Sequence, residues 1–263
     1  MGEFSKVEIQ GHLMIVTLNR PDVMNACHPP MSQELSGVFE EFDTNPDLWV
    51  AIVTGAGDRA FCAGNDLKYH AEMRAKTGGR PNHGAGGFGG ITRRFDSSKP
   101  VIAAVNGVAM GGGFEIALSC DLIIASDKAR FALPEPRVGL TAGATGMQRL
   151  SRSIPLKQAM GMMLTGRHVP AEEGYQLGFV TAVVENDKLM EEAMRWAAMI
   201  LECSPMSIRA TKQVVMRSLD VPALEVAVKN ERYPAQIALM DSEDTVEGPK
   251  AFAEKRKPDW KGR

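Results

Sequence analysis

The chain has 263 residues, of which 44% are hydrophobic and 24% are charged, a composition that excludes a disordered or fibrous protein. Its 30 Lys and Arg residues against 32 Asp and Glu residues give a formal net charge of −2. Nucleic-acid binding depends on a basic surface, and this sequence has no such excess. A phosphate-bearing ligand must therefore be held by a few local cations and by backbone N–H groups.

The cysteines and histidines show no disulfide or metal-binding pattern. The four cysteines include no CxxC pair, and the five histidines show no HxxxH or HExxH spacing. We therefore expect no structural metal and a reducing, cytoplasmic environment. The first ten residues lack the apolar core of a signal peptide. Segment 101–120 carries a single charge, but Asn106-Gly107 and the glycines at 111–113 interrupt it, so we expect no membrane span.

Hydrophobic patterns predict alternating strands and helices up to about residue 125. Apolar residues at 7–9 and 13–18 predict a hairpin, and helical spacing from Met31 to Phe42 predicts a helix that ends before Asn45. Buried strands are predicted at 49–54, 101–105 and 122–125, with a helix beginning near residue 113. Strands that alternate with helices indicate an α/β fold built on a mostly parallel sheet.

From about residue 156 the pattern is helical, with amphipathic stretches at 189–201, 206–219 and 223–240. We therefore divide the chain into an α/β core of residues 1–195 and a C-terminal helical region of residues 196–263.

Segment 76–99 contains seven glycines and little that can pack. A loop of this length is usually a lid, a binding loop or disordered, and a mobile surface loop without chemistry of its own is an equally good interpretation.

Two predicted strands end in small residues. The first is followed by Ala63-Gly64, and the second by the glycines at 111–113, which precede a helix. Ligands of open parallel sheets bind beyond the carboxyl ends of the strands, and N–H groups at a helix start attract negative charge. One N–H from each turn is able to polarise a carbonyl oxygen. The alternative is a pair of structural turns; neither a GxGxxG nor a P-loop motif is present.

Glu115 and Glu135 are the candidate acid–base residues. Glu115 is the only charge in an apolar run, so we expect it in the interior with a raised pKa, unless it merely caps its own helix. Glu135 lies between two prolines, which stiffen its backbone, although a surface turn is the simpler interpretation. Glycine-rich residues 139–146 follow and offer further backbone donors for a water molecule.

Four segments then carry a resemblance to a known family: NRPDVMNA at 19–26, AFCAGNDLK at 60–68, the long run at 99–135 and EGPKAFAEKRKPDW at 247–260. The chain resembles the crotonase superfamily of enoyl-CoA hydratases and isomerases. The resemblance implies a crotonase-like ββα superhelix with a C-terminal helical trimerisation region, assembly as trimers or hexamers, and an acyl-CoA thioester as substrate. Coenzyme A is part of that substrate, and no separate cofactor is implied.

The resemblance also implies roles for individual residues. Ala63 and Gly112 match the two oxyanion-hole N–H donors, Glu115 and Glu135 match the catalytic glutamates, and Gly143 matches a glycine that positions water. The presence of both glutamates favours hydration, and the tail with the GGF-containing loop is similar to the carnitinyl-CoA hydratase branch. The positions that match contacts to CoA are Arg59, Ala63, Gly64, Asn65, Asp66, Lys68, Phe252 and Lys255, the last from a neighbouring subunit.

Three positions depart from the family pattern. Asp22 stands where a basic residue often holds CoA phosphates, a role we assign instead to Arg59, Lys68 and Lys255. Ala142 and Thr145 replace a proline and a glycine in the turn that precedes a helix.

The sequence therefore predicts an enoyl-CoA hydratase that adds water across the 2,3 double bond of a trans-2-enoyl-CoA. Alternatives on the same fold are a carnitinyl-CoA dehydratase and a double-bond isomerase. A non-catalytic acyl-CoA-binding protein is the alternative from another class. The acyl group itself stays open; Tyr69, the loop with Phe88 and the methionines at 160–163 are candidates for shaping its pocket.

Overall fold

The computed structural model describes residues 2–79, 82–229 and 233–263 and confirms the α/β fold. Its larger sheet has six strands in the order β1-β2-β3-β5-β7-β10, of which β1 and β2 form the predicted antiparallel hairpin and the others run parallel. These strands are β1 (Ser5–Gln10), β2 (Leu13–Leu18), β3 (Val50–Gly55), β5 (Val101–Val105), β7 (Leu122–Ser126) and β10 (Ala182–Val184).

A second, four-stranded sheet was not predicted from the sequence. It has the order β4-β6-β8-β9, and its strands are β4 (Ala60–Cys62), β6 (Val108–Met110), β8 (Arg130–Ala132) and β9 (Val169–Pro170). Strands of two or three residues are too short to show a periodicity, so no pattern announces them. Each of β3, β5 and β7 is followed by one short strand and then by a helical segment, which is the repeat of the crotonase-like ββα superhelix.

The helices connect and cover these strands. They are α1 (Pro29–Thr44), α2 (Leu67–Thr77), α3 (Gly112–Ser119), α4 (Gly146–Ser153), α5 (Leu156–Thr165), α6 (Ala171–Leu177), α7 (Leu189–Leu201), α8 (Pro205–Ser218), α9 (Leu224–Ala227), α10 (Pro234–Met240) and α11 (Glu243–Ala253). The predicted ends of α1, α7 and α8 and the predicted start of α3 are right to within one or two residues.

Both faces of the larger sheet are buried. Side chains of successive strand residues point to opposite faces, and the run of apolar residues in β3, β5 and β7 therefore supplies both. On one face Ile52, Ile102 and Ile124 pack with Ala193 and Ala197 of α7. The other face belongs to the main core, with α1, α3 and the second sheet. Parallel strands buried on both faces explain why no polar alternation is visible in this part of the sequence.

Asn106 fixes the corner between the two sheets. Its side-chain amide donates to the carbonyl oxygens of Gly55 and Gly57 at 3.0 and 2.8 Å, and its carbonyl oxygen accepts from the Gly55 N–H at 3.2 Å. Asn106 is 7% exposed. These bonds satisfy backbone groups just after β3, where the chain leaves the larger sheet and turns toward β4. The corner therefore places the strand ends of the second sheet, and the loops after them, over α3.

The C-terminal region differs from the prediction in one place. The pattern at 223–240 predicted a single amphipathic helix, whereas the structure has the short α9 and a new helix, α10, that begins at Pro234. Proline lacks an N–H and clashes inside a helix, so it favours the first position of a new one. Position 195, the proposed boundary of the core, falls within α7, and the division into two regions stays a prediction.

In the described ranges, no helix combines the length and apolar character needed to cross a bilayer.

We expect the buried core of the larger sheet to dominate stability. Ile102 is fully buried, whereas Ile9 on the edge strand β1 is 56% exposed. Replacing Ile102 with Ala removes buried methyl groups and leaves a cavity, at an expected cost of about 2–5 kcal/mol in the free energy of unfolding. The matched variant Ile9→Ala should cost about 1 kcal/mol or less. Urea denaturation of the two variants measures the difference; equal costs would contradict this packing.

Candidate active site

The predicted site residues meet at one cavity of about 310 Å³. Its walls include Glu115 and Gly112 from the start of α3, Glu135 from the segment after β8, Gly143 from the loop before α4, and Asn65 from the turn after β4. The first turn of α3, the turn after β4 and the segment between β8 and α4 thus all contribute to its walls. This is the arrangement that the two glycine-rich strand ends and the two glutamates predict.

Glu115 is almost completely buried, with 2% of its surface exposed. Its Oε1 atom accepts a hydrogen bond of 2.7 Å from the N–H of Gly146. Burial raises the pKa of Glu115 to about 7 and the nearby charge of Glu135 adds to the rise, while the backbone N–H groups of Gly146 and Ala144 oppose it. The carboxylate is therefore not a cap of its own helix; it is held by the next helix, α4, and titrates near neutral pH.

Glu135 starts a short 3-10 turn, Glu135–Val138, and is half-buried. Burial raises its pKa as well. Its Oε2 atom has no hydrogen-bond partner among the described residues. Its Oε1 atom lies 2.8 Å from the point that a Cβ atom on Gly111 would occupy, and Gly111 has φ of 52°. Only glycine suits both conditions, so Gly111 allows Glu135 to reach over the start of α3.

The turn after β4 corrects one prediction. The N–H of Ala63, expected to be an oxyanion donor, donates instead to the carbonyl of Met24 at 3.0 Å. Two residues later the chain pairs with Cys27: the Gly64 carbonyl accepts from the Cys27 N–H at 2.8 Å, and the Asp66 N–H donates to the Cys27 carbonyl at 3.0 Å.

Peptide groups alternate in direction along an extended segment. The N–H of Asn65, which lies between the two bonds to Cys27, therefore points away from Cys27, and Asn65 lines the cavity. The sequence patterns pointed to the turn after β4. They did not show which of its N–H groups is unoccupied, because only the pairing with Cys27 decides that.

Gly112, the other predicted donor, also lies at the cavity, and its role stays a prediction. It is the first residue of α3, so its N–H has no acceptor within the helix, and the residue lines the cavity. The two turns are in close contact: a Cβ atom on Gly64 would lie 2.6 Å from the Met110 carbonyl oxygen and 3.3 Å from the Gly112 nitrogen. The amides of Asn65 and Gly112 therefore border the same small volume.

The loop before α4 also differs from the prediction. Gly143 lines the cavity, but its N–H donates to the Thr141 carbonyl at 2.7 Å, so it is not directed at a water molecule here. Thr145, which replaces a glycine of the family pattern, has φ of 84°, a left-handed conformation that strains a β-branched residue. Arg149 supports it, with an Nε to Oγ1 bond of 3.0 Å.

The glycine-rich segment forms a wall of the cavity. This position does not fit the interpretation of the segment as a mobile surface loop. Phe88 and Thr92 are 6% and 0% exposed, and the Gly89 N–H donates to Ser32 of α1 at 3.0 Å. The same Ser32 hydroxyl bonds Nδ1 of His83 at 2.8 Å. Burial lowers the pKa of His83 to about 4, so its ring is neutral at pH 7. Arg80 and Pro81 lie outside the described residues.

This wall contributes four polar residues that the sequence did not single out: Asn82, His83, Thr92 and Arg93. The apolar pair Phe88 and Ile91, both buried, was the available signal that the loop packs. Phe88 borders the cavity as expected, whereas Tyr69 and the methionines at 160–163 are not among its lining residues.

Of the eight predicted CoA contacts, Asn65 lines this cavity and the other seven are not among its lining residues. Asp66 caps α2 by accepting from the Tyr69 N–H at 3.1 Å and forms an ion pair of 3.0 Å with Arg20. Arg59 and Lys68 are exposed in the segment around that turn. Phe252 is 87% exposed on α11, and Lys255 follows the helix end. Their roles stay predictions.

Comparison with known proteins agrees with this geometry. Residues 8–263 match the family model described as enoyl-CoA hydratase/isomerase. The chain belongs to this family, within the crotonase superfamily, as the sequence motifs indicated. Members of the family act on acyl-CoA thioesters.

Individual relatives refine the picture. The chain is 42% identical to proteins named carnitinyl-CoA dehydratase from Proteus mirabilis and Escherichia coli K12, over 269 residues and the full length of both chains in each case. Among solved structures, it is similar to an enoyl-CoA hydratase from Mycobacterium marinum, with a TM-score of 0.91 and 35% identity over the whole of both chains. An enoyl-CoA hydratase from Geobacillus kaustophilus is 40% identical, with a TM-score of 0.86, covering 99% of this chain and 98% of that one. The narrower resemblance to the carnitinyl-CoA branch is thus supported.

The close approach of α3 to β4 gives a first prediction for the site. A Cβ atom on Gly113 would overlap with the carbonyl oxygen of Cys62, which is backbone that is not free to yield. Gly113→Ala should therefore separate the two turns, lowering the melting temperature by several degrees and abolishing activity. Gly161→Ala is the matched control, since nothing lies within 4 Å of its added Cβ in α5. A Gly113→Ala protein as stable and active as this control would disprove the close contact.

The raised pKa of Glu115 gives a second prediction. The rise from 4.5 to about 7 corresponds to about 3 kcal/mol. Ionising the buried carboxyl lowers the stability of the folded state. This loss is absent below about pH 4, where the carboxyl is protonated in both the folded and the unfolded protein, and it is complete above about pH 7. Glu115→Gln, which keeps an acceptor for Gly146, should therefore gain about 2 kcal/mol more stability over wild type at about pH 8.5 than at about pH 5.

Urea denaturation at the two pH values measures this gain, with Glu172→Gln, an exposed residue of α6, as the control. A gain that does not change with pH would show that Glu115 is not the titrating group.

Proposed function

We propose that this protein catalyses the reversible hydration of a trans-2-enoyl-CoA. The observation that carries the proposal is the convergence of two carboxyl groups, Glu115 and Glu135, with the amides of Asn65 and Gly112 on one cavity. Membership of the enoyl-CoA hydratase/isomerase family supports the same function, because its substrates are acyl-CoA thioesters. No cofactor other than the CoA of the substrate is needed for this chemistry.

The two amides act on the thioester oxygen. The N–H groups of Asn65 and Gly112 donate to that oxygen, with Asn65 in the role that the sequence assigned to Ala63. Negative charge builds on the oxygen as water adds, so donors that are already in place stabilise the transition state more than the substrate. The start of α3 adds the positive end of its dipole at Gly112. Loss of one such donor typically lowers kcat by about 10²–10³-fold.

The two carboxyl groups handle the protons. Ionised Glu115 takes a proton from water while the water oxygen bonds to C3, and the electron pair of the double bond moves toward C2 and the thioester. Protonated Glu135 then delivers its proton to C2. One O–H bond of water and the π bond are broken, and a C3–O bond and a C2–H bond are formed. Glu115 ends protonated and Glu135 ionised, so the proton must return from Glu115 to Glu135, through solvent, before the next turnover. The pair titrates as a unit, since each charge affects the other.

The resting position of the proton supports a second direction for the same reaction. Glu115 is more completely buried than Glu135, and burial favours the protonated form of a carboxyl, so we propose that Glu115 carries a proton in the free protein. That form is ready for elimination: Glu135 removes the C2 proton and Glu115 protonates the departing hydroxyl. Dehydration of a 3-hydroxyacyl-CoA is therefore the second candidate, and the relatives named carnitinyl-CoA dehydratase agree with it.

Isomerisation and simple ligand binding have less support from the geometry. Double-bond isomerisation needs one carboxyl group to move a proton between C2 and C4, and this cavity contains two. A non-catalytic acyl-CoA-binding protein has no use for buried carboxyls with raised pKa values.

Assembly and location complete the proposal. A trimer or hexamer would bring Phe252 and Lys255 of one subunit to the CoA of another, as the resemblance implies. We expect the protein to work in the cytoplasm without contact to nucleic acid or membrane.

Glutamine substitutions at the two glutamates test the proposal. We expect Glu115→Gln and Glu135→Gln each to reduce hydration of crotonyl-CoA by about 10²–10⁴-fold, since each removes one proton transfer. Loss of the enoyl absorbance measures the rate, and Glu172→Gln provides the exposed control. A near-normal rate in either variant removes that residue from the mechanism. Conjugation of a 3-enoyl-CoA that is unaffected by Glu135→Gln would favour the isomerase.

A further inference from the structure

The proposed chemistry leaves one wall of the cavity unused. Asn82, His83, Thr92 and Arg93 line it, yet none takes part in the oxyanion contacts or the proton transfers. A cavity wall that only accommodates an alkyl chain is normally apolar. This one carries a guanidinium, a hydroxyl, an amide and a neutral imidazole.

Thr92 is the most informative of these residues. It is 0% exposed, and its Oγ1 atom has no hydrogen-bond partner among the described residues. Buried hydroxyl groups are nearly always paired, because an unpaired one loses the hydrogen bonds it made with water. Its backbone carbonyl accepts a hydrogen bond of 3.5 Å from Nη2 of the half-buried Arg149, which helps to hold the residue in place. Thr92 also lines the cavity, which leaves its hydroxyl near the space where a ligand would bind.

Arg93 supplies the charge. It follows Thr92 directly, and its Cβ and Cγ atoms pack beside Gly87, within 3.2 and 2.8 Å of the point where a Cβ on that glycine would stand. No carboxylate forms an ion pair with it in the described part of the chain. Its neighbour His83 is neutral at pH 7. Arg93 is exposed, so solvent hydrates its positive charge in the free protein and a ligand at this wall is able to reach it.

We propose that the acyl group of the substrate ends in a carboxylate, bound by the guanidinium of Arg93 and the hydroxyl of Thr92. This inference rests on the proposed function and adds the substrate class to it. A carboxylate accepts from both groups at once, and arginine binds it with two parallel hydrogen bonds. One carboxylate thus gives the Thr92 hydroxyl an acceptor and pairs with the positive charge of Arg93.

The same wall disfavours a quaternary ammonium group. Such a group has no acceptor for Thr92, and it would place a second positive charge beside Arg93. Cation-binding sites use several aromatic rings, whereas Phe88 is the one Phe, Tyr or Trp among the cavity-lining residues that the structure describes. The acyl group of carnitinyl-CoA carries a quaternary ammonium, so we infer that this protein differs in substrate from the relatives named for that compound.

The experiment compares enoyl-CoAs that differ only in the end group. Hex-2-enedioyl-CoA carries the carboxylate, 6-methylhept-2-enoyl-CoA is its neutral isostere, and crotonobetainyl-CoA carries the quaternary ammonium. We expect wild type to show the highest kcat/KM with the carboxylate. Arg93→Gln should lower that value by about 10–100-fold and Thr92→Val by about 3–10-fold, while the neutral isostere changes by less than about threefold.

Two additional variants sharpen the result. Arg93→Glu should reverse the preference, so that crotonobetainyl-CoA becomes the better substrate. Arg195→Gln, on the exposed surface of α7, is the matched control and should leave all three values unchanged. Inhibition of crotonyl-CoA hydration by the saturated hexanedioyl-CoA gives a binding readout that needs no turnover of the dicarboxylic compound.

The outcomes separate the two proposals. If wild type hydrates crotonyl-CoA but prefers the neutral or the cationic substrate, the carboxylate inference is wrong and the proposed function stands. Equal losses on the carboxylate and its isostere in Arg93→Gln would likewise overturn it, since they indicate a structural role. If none of the CoA esters is hydrated, the proposed function itself fails.

Discussion

The site depends on a contact between two pieces of backbone. The start of α3 lies against the end of β4 and the turn that follows, so closely that Gly64 and Gly113 have no room for a side chain. This contact brings the amides of Asn65 and Gly112 to one point and directs Glu115, two residues after Gly113, into the same cavity. Backbone groups have little freedom once their hydrogen bonds are made, and the donors are therefore in position before a ligand arrives.

Burial of the two glutamates serves the chemistry at the expense of stability. A carboxyl that is removed from water prefers to keep its proton, and Glu115 shows this strongly because it is almost completely buried and the backbone amides beside it offset only part of that effect. The same property lets it give or take a proton near pH 7, where an exposed glutamate is always ionised. Glu135 keeps one oxygen without a partner among the described residues and is the more accessible of the two.

The sequence predicted the features that follow from strong local patterns. The parallel strands were visible as apolar runs, α3 began where three glycines gave way to an apolar turn, and Glu115 was expected inside because nothing around it was polar. The sequence assigned an oxyanion donor to Ala63, whose N–H is occupied by the Met24 carbonyl, and we propose Asn65, two residues later, in its place. That choice depends on pairing with Cys27, almost forty residues earlier, and no local pattern contains it. The packing of residues 82–93 as a cavity wall could not be predicted for a related reason. A glycine-rich segment shows no hydrophobic periodicity, and its residues pack through their backbone.

Arg149 links parts of the molecule that are far apart in sequence. Its guanidinium bonds the hydroxyl of Thr145, which sits beside the amide that holds Glu115, and also contacts the carbonyl of Thr92 in the opposite wall. Thr145 is in a strained conformation that glycine would adopt without cost, so the arginine acts as a brace against relaxation of that turn. One side chain thus connects the turn beside Glu115 with the segment that carries Thr92, so a substitution at Arg149 is expected to affect both parts of the cavity.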